Sequence, residues 1–207
     1  MSFQTIVNNA AEISVLRRPV VAQTVSRSQI VKSVSRGNNV WRFEVTAPDG
    51  PRWTDYRETI SEIEAIGRTN SFNIQFNDTG HNWMFDYQGD YSSTYPFQAS
   101  WTQGATSITI TSTPSSPGSG YMFKAGDILQ LSSTGLVYTV AADVAYNATT
   151  VNLHRPIIDA TGSGTLQIGD DCVFTLRCVQ FPNYRFFARD QIAWDGPFIF
   201  HEVISGY

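Results

Sequence analysis

One stretch of this chain carries a helical period, and strand patterns flank it on both sides. Tyr56, Ile60, Ile63 and Ile66 fall three and four residues apart, an apolar stripe with Glu58, Glu62 and Glu64 lying off it. Asp55 and Glu58 have the spacing of a capping box, and Gly67 stands where a left-handed C-terminal residue belongs. Before this stretch Trp41, Phe43 and Val45 alternate with Arg42, Glu44 and Thr46; after it Phe72, Ile74 and Phe76 alternate in the same way. Pro48-Asp49-Gly50-Pro51 breaks the first strand from the helix. The pattern predicts a strand, one helix packed across a sheet, and a returning strand.

Everywhere else the signals are β. Residues 27–34 alternate and lead through a turn at 36–39 into Trp41, as a long hairpin would. Trp83, Phe85 and Tyr87 alternate as a further strand, and residues 88–105 read as loop. Near Gly104 the composition shifts. Ile108 and Ile110 alternate with threonines, a Pro/Ser/Gly-rich connection follows at 113–120, and short strands are predicted at 128–131, 137–141 and 150–153. Residues 173–181 form a long strand, and Phe198, Phe200 and Val203 belong to a last one. The expected layout is a β domain, 1–103 plus 167–207, interrupted by a small antiparallel barrel or sandwich at 104–166 whose ends lie close together.

The 207 residues carry 42% hydrophobic and 13% aromatic side chains, enough for a real core, but only 15% are charged. A surface that lightly charged is either rich in Ser, Thr and Asn or largely covered by other subunits. The net charge of -4 argues against duplex nucleic acid as the main partner. It is also uneven: residues 1–36 hold Arg17, Arg18, Arg27, Lys32 and Arg36 against Glu12 alone, a net +4 that leaves −8 on the remainder. Basic residues on an edge strand block aggregation, or they face an acidic surface on a neighbouring copy. No secretory signal and no apolar run long enough to span a membrane is visible. Cys172 and Cys178, six apart on one strand, would stand about 20 Å from each other, too far to pair. They read as buried free thiols.

Reactive constellations are missing. His81, His154 and His201 have no metal-ligand spacing, and there is neither a nucleophile elbow nor a phosphate-binding or dinucleotide loop. Asp170 and Asp171, adjacent on a strand, would face opposite ways. No catalytic, cofactor-binding or metal residue is assigned, and the chain is read as a non-enzyme. The aromatic series Trp83, Phe85, Tyr87, Tyr91, Tyr95, Phe97 and Trp101 remains. Its first three members read as a core face; Tyr91 to Trp101, in a loop, read as a subunit interface, with sugar stacking as the alternative. The candidate subunit-interface residues are thus Arg17, Arg18, Arg27, Lys32, Tyr91, Tyr95 and Trp101.

Several of these segments resemble phage tail and baseplate proteins. The residues that carry the likeness are Trp41-x-Phe43-x-Val45, the helix ending at Gly67, Phe72, and Phe123-x-x-Gly126-Asp127. Tyr138-x-Val140, Asp143, Asn147 to Arg155-Pro156, and Gly196-Pro197-Phe198-x-Phe200-x-Glu202-Val203 continue it. The resemblance covers nearly the whole chain, through packing and turn patterns. It implies a distal-tail or tube-initiator protein: a split, tail-tube-like β-barrel repeated in a sixfold ring of the virion tail. Such a ring is assembled in the host cytoplasm, docks tube to hub and baseplate proteins, and lets DNA pass without specific binding. It implies no cofactor. A carbohydrate- or receptor-binding module of a virion is the alternative.

Overall fold

The computed structural model describes residues 2–17, 21–25, 27, 31–35, 39–66, 69–77, 82–92, 96–132 and 135–204. Its first part runs α1 (Ser2–Asn8), β1 (Glu12–Leu16), β2 (Val21–Val25), β3 (Val31–Ser35), β4 (Arg42–Thr46), α2 (Trp53–Ile66) and β5 (Phe72–Gln75). A middle part follows with β6 (Gln98–Trp101), β7 (Ser107–Ser112), β8 (Tyr121–Phe123), β9 (Ile128–Leu131), β10 (Val137–Thr139), β11 (Val144–Ala145), β12 (Thr150–Asn152) and β13 (Gly162–Ile168). The chain closes with β14 (Val173–Gln180), β15 (Asn183–Ala188), β16 (Gln191–Asp195) and β17 (Phe198–Glu202). The protein is mainly β, with a curled half-barrel sheet and two helices rather than the one expected.

Every strand pairing is antiparallel. A five-stranded sheet has the order β1-β4-β17-β14-β5, and a six-stranded sheet the order β10-β9-β13-β6-β7-β12. Three two-stranded sheets stand outside them: the hairpins β2–β3 and β15–β16, and the non-consecutive pair of β8 with β11. Trp41, Phe43 and Val45 are buried as their alternation requires, and Phe43 meets Phe76 and Phe174 at ring distances of 4.9 and 5.1 Å. Helix α2 buries Tyr56, Ile60 and Ile63 on this sheet, as the stripe predicts. It begins three residues earlier than a cap at Asp55 would place it. The Arg52 carbonyl accepts from the amides of Asp55 and Tyr56, so Asp55 lies inside the first turn and is not the cap. Gly67 lies outside the described residues.

Helix α1 went unread because it is short and only Phe3, Ile6 and Val7 mark its buried side. It is held in place by Gln4, which exchanges two hydrogen bonds with the backbone of Gln75 at the edge of the first sheet. The two cysteines are buried and not joined by a disulfide, as expected.

Two hydrophobic cores result. The first is built on α1, α2 and the five-stranded sheet; the second gathers Tyr91, Phe97, Ala99 and Trp101 with the strands from β7 to β13. The second unit therefore starts well before Gly104. The predicted strand over 83–87 does not form. Instead a short 3₁₀ turn exposes Trp83, Phe85 enters the first core, and Tyr87 packs against the second. Residues 85–87 are thus the crossing from one core to the other, which a period-2 reading mistakes for one face of one strand. The return crossing lies against it. Gly169 has φ +66°, and a Cβ there would sit 3.0 Å from the Phe85 carbonyl and 3.2 Å from the Tyr87 amide nitrogen. The two ends of the second unit do lie close together, but at Phe85 and Gly169. Part of the segment expected to be loop is strand β6, which pairs with both β7 and β13.

The two cores are also joined. Ile128 and Val137, from the six-stranded sheet, bury their side chains in the first core. The Gln130 side chain donates to the Val173 carbonyl and accepts from the Val173 amide, closing the seam at the start of β14.

Candidate functional site

The densest polar cluster sits at this junction. Arg155, 2% exposed, follows β12; Glu202, 7% exposed, ends β17. The guanidinium donates from Nη1 to Oε2 and from Nη2 to Oε1, each at 2.7 Å, a two-pronged charge-assisted pair. Nη1 also donates to the Asn39 carbonyl and Nη2 to the Val137 carbonyl, the guanidinium lies 4.9 Å from the Tyr138 ring, and Nε is buried without a hydrogen-bond partner. Trp41 completes the cluster: its indole N–H donates to the Val137 carbonyl at 2.9 Å and its backbone amide to Glu202. These groups are spent on one another. The arrangement clamps the last strand to the middle of the chain.

Tyr138 and Asp127 are also bonded within the chain. Tyr138 donates to Asp159 at 2.7 Å and accepts from the Ile158 amide, and burial pushes its hydroxyl above the usual tyrosine range. Asp127 accepts from the amides of Lys124 and Gln88, tying the β8–β9 turn to the chain that enters the second core. Gly126 in that turn has φ +105°. The Phe123-x-x-Gly126-Asp127 pattern is therefore turn geometry. Among the described residues no group of three His, Cys, Asp or Glu side chains is placed to hold a metal. No helix of the described residues is long and apolar enough to cross a membrane.

His154 is the one titratable group that these bonds leave poised. Its Nδ1 accepts from the Thr139 amide at 2.9 Å, so Nε2 carries the proton, and Nε2 is buried without a hydrogen-bond partner. Burial, then the charges of Arg155 and Arg17, push its pKa down from 6.5 to about 4. The folded protein thus resists a proton that the unfolded chain accepts. Stability should be unaffected above pH 6.5 and fall as the pH drops from there towards 4, by less than about 1.4 kcal/mol per pH unit because the ring is partly exposed. His201, shifted the same way by burial and Arg42, adds to the loss; Asp127, raised by burial, opposes it just above its ordinary value. Replacing His154 with asparagine keeps an acceptor for the Thr139 amide and removes the titration. Denaturant melts of this variant between neutral and acid pH should show a shallower slope than the parent, and an unchanged slope would assign the acid loss elsewhere.

The sequence-derived interface residues separate into three groups. Tyr91 and Trp101 are core residues, a correction to their placement on an exposed loop. They are 5% and 8% exposed; Tyr91 donates to the Tyr146 carbonyl and Trp101 to the Ala160 carbonyl. Both rings are needed to fill the second core, and their polar tips are satisfied inside it. Arg17 is bound within its own chain, donating to Thr139 Oγ1 at 2.6 Å with its guanidinium 5.5 Å from the Trp41 ring. Arg27 is exposed between β2 and β3, and Lys32 stands on β3 opposite Thr24. Arg18 and Tyr95 lie outside the described residues.

What the surface does present is apolar. Val25 is 68% and Val31 57% exposed, and they are register partners at the closed end of the β2–β3 hairpin. Phe186 and Phe187 are 56% and 54% exposed on β15, which among the described residues pairs with β16 alone. Phe186 sits edge-on to Trp53 and Tyr184. Beside them lies a groove of about 490 Å³ between the helices and β15, lined by Phe3, Ile63, Glu64, Phe181, Pro182 and Tyr184. The sequence held a signal for these residues: neighbouring positions on a strand face opposite ways, so Phe186 and Phe187 cannot both enter one core. No family model matches the chain, and no curated protein matches it significantly.

Proposed function

We propose that this chain is a structural subunit of a phage tail or baseplate. Its curled sheet would be one wall of a split barrel, and copies would repeat as a ring that joins tail tube to hub and lets DNA pass. The observation that carries the reading is the pairing of opposites on one molecule. The Arg155–Glu202 clamp and the Tyr138 and Asp127 clusters are bonded within the chain, while a separate hairpin and strand β15, paired on one edge alone among the described residues, expose large apolar side chains. That is the surface of a part that is finished by assembly rather than by substrate. A chain with 15% charged residues fits the same account. The likeness of its turn and strand patterns to tail proteins supplies the kind of assembly. Trp101, on which the sugar-stacking alternative leaned, presents no open ring face.

The test is the composition of purified tails from particles that encode this chain. Quantitative mass spectrometry should find it in the tail at six copies, and electron microscopy should place a ring of it at the end of the tube. Two or three copies per tail would reject the sixfold ring. Absence of the chain from intact particles would reject the structural role altogether.

A further inference from the structure

We infer that the β2–β3 hairpin of one copy seats in the groove beside β15 of a second copy, a contact that rests on the ring reading above. The hairpin belongs to neither large sheet, and among the described residues Val25 and Val31 stay exposed beside its turn. Register partners on an antiparallel pair share a face, so Val25 and Val31 form one apolar spot. The groove is the complementary surface: Phe3 and Ile63 lie at its base, and Phe181, Pro182 and Tyr184 form a wall. Phe186 extends that wall outward from Tyr184. Charge agrees with shape. Arg27, exposed between the two valines, can meet Glu64 at the groove, and Asp55, Glu58 and Glu62 against Arg57 make the exposed side of α2 acidic. Arg185 on β15 is the one exposed cation next to Phe186 on the same strand.

Within one chain both surfaces stay exposed, so they do not cover each other. Between chains they differ, which makes the contact heterologous, head to tail. A heterologous contact with the right rotation closes into a ring, whereas a two-fold contact would stop at a dimer. The mode of recognition is an extended element laid against an open strand edge and an apolar channel.

Two full-length variants test this. A hairpin variant, Val25→Asp with Val31→Asp, keeps its groove; a groove variant, Glu64→Arg with Phe186→Asp, keeps its hairpin. All four positions are exposed, and Val25→Ser with Val31→Ser serves if the aspartates disturb folding. Sedimentation at low salt should show the parent associating with rising concentration and each variant alone weakened about a hundredfold or more. Mixed in equal amounts, the two variants should form a dimer and nothing larger, because each brings one intact half of the contact. Variants that associate like the parent would overturn the inference, as would a mixture that stays monomeric. So would a parent that is monomeric up to about 1 mM. Any of these outcomes, together with six copies found in tails, would leave the ring standing on a different contact.

Discussion

Replacing Arg155 with methionine should cost the fold about 3–5 kcal/mol, because it leaves the Glu202 carboxylate buried and facing no charge. That is a large share of the roughly 5–15 kcal/mol that holds a domain together, so the variant should melt far below the parent or be unfolded at room temperature. Glu202→Gln should be nearly as severe, leaving a guanidinium that is 2% exposed with one neutral acceptor in place of two charged ones. The informative measurement is the double variant. With Arg155→Met and Glu202→Leu together no charge remains at the junction, and the Val137 carbonyl still has the Trp41 indole as its donor. The Asn39 carbonyl, only half-buried, can turn to water. Denaturant melts should therefore show the double variant recovering most of the loss, a coupling of several kcal/mol between the two positions. Equal, additive losses would show that each residue acts through its own packing and that the pair is incidental.

This clamp also explains what a sequence of this kind reveals and what it hides. Local periods report on one face of one element, so Trp41, Phe43 and Val45, then Tyr56, Ile60 and Ile63, and Ile108 with Ile110 were legible, and each is buried where its spacing puts it. The period fails where the chain changes cores. Phe85 and Tyr87 alternate perfectly, yet one belongs to each core, with a 3₁₀ turn before them. It fails again where an aromatic-rich polar run hides a strand: β6 lies between its neighbour β7 and the distant β13, and the Ala160 carbonyl, 59 residues on, receives the Trp101 indole. Arg155 and Glu202 stand 47 residues apart, and nothing in either neighbourhood says that a surface-type charge is wanted inside. Of the candidate interface residues on the hairpin, Arg27 is exposed. The Phe186-Phe187 edge was visible in principle, since adjacent residues cannot share a face, but a hairpin of 183–195 had no turn dipeptide to announce it.

Joining Ser100 to Gly169 through a short linker, a cut suggested by the composition shift near Gly104, should unfold the protein. It strips β6 of both its partners and leaves Phe97 and Ala99 with no core to enter. It also removes Ile128 and Val137 from the first core, the acceptor of the Trp41 indole, and the only charge that compensates Glu202. The uncompensated carboxylate alone costs about 3–5 kcal/mol, before two apolar side chains and a tryptophan are exposed. A cut at the true crossing changes the balance. A glycine linker from Asp86 to Gly169 follows the close approach of Phe85 to Gly169 and takes β6 away with the rest of the second unit. Adding Glu202→Leu removes the stranded charge, and Trp41→Phe the unpaired indole donor. Circular dichroism should then show no cooperative thermal transition for the Ser100–Gly169 deletion, and a restored, if lowered, transition for the redesigned one. A Ser100–Gly169 deletion that melts cooperatively near the parent's temperature would mean that the junction contributes little, and that the first core stands without the second.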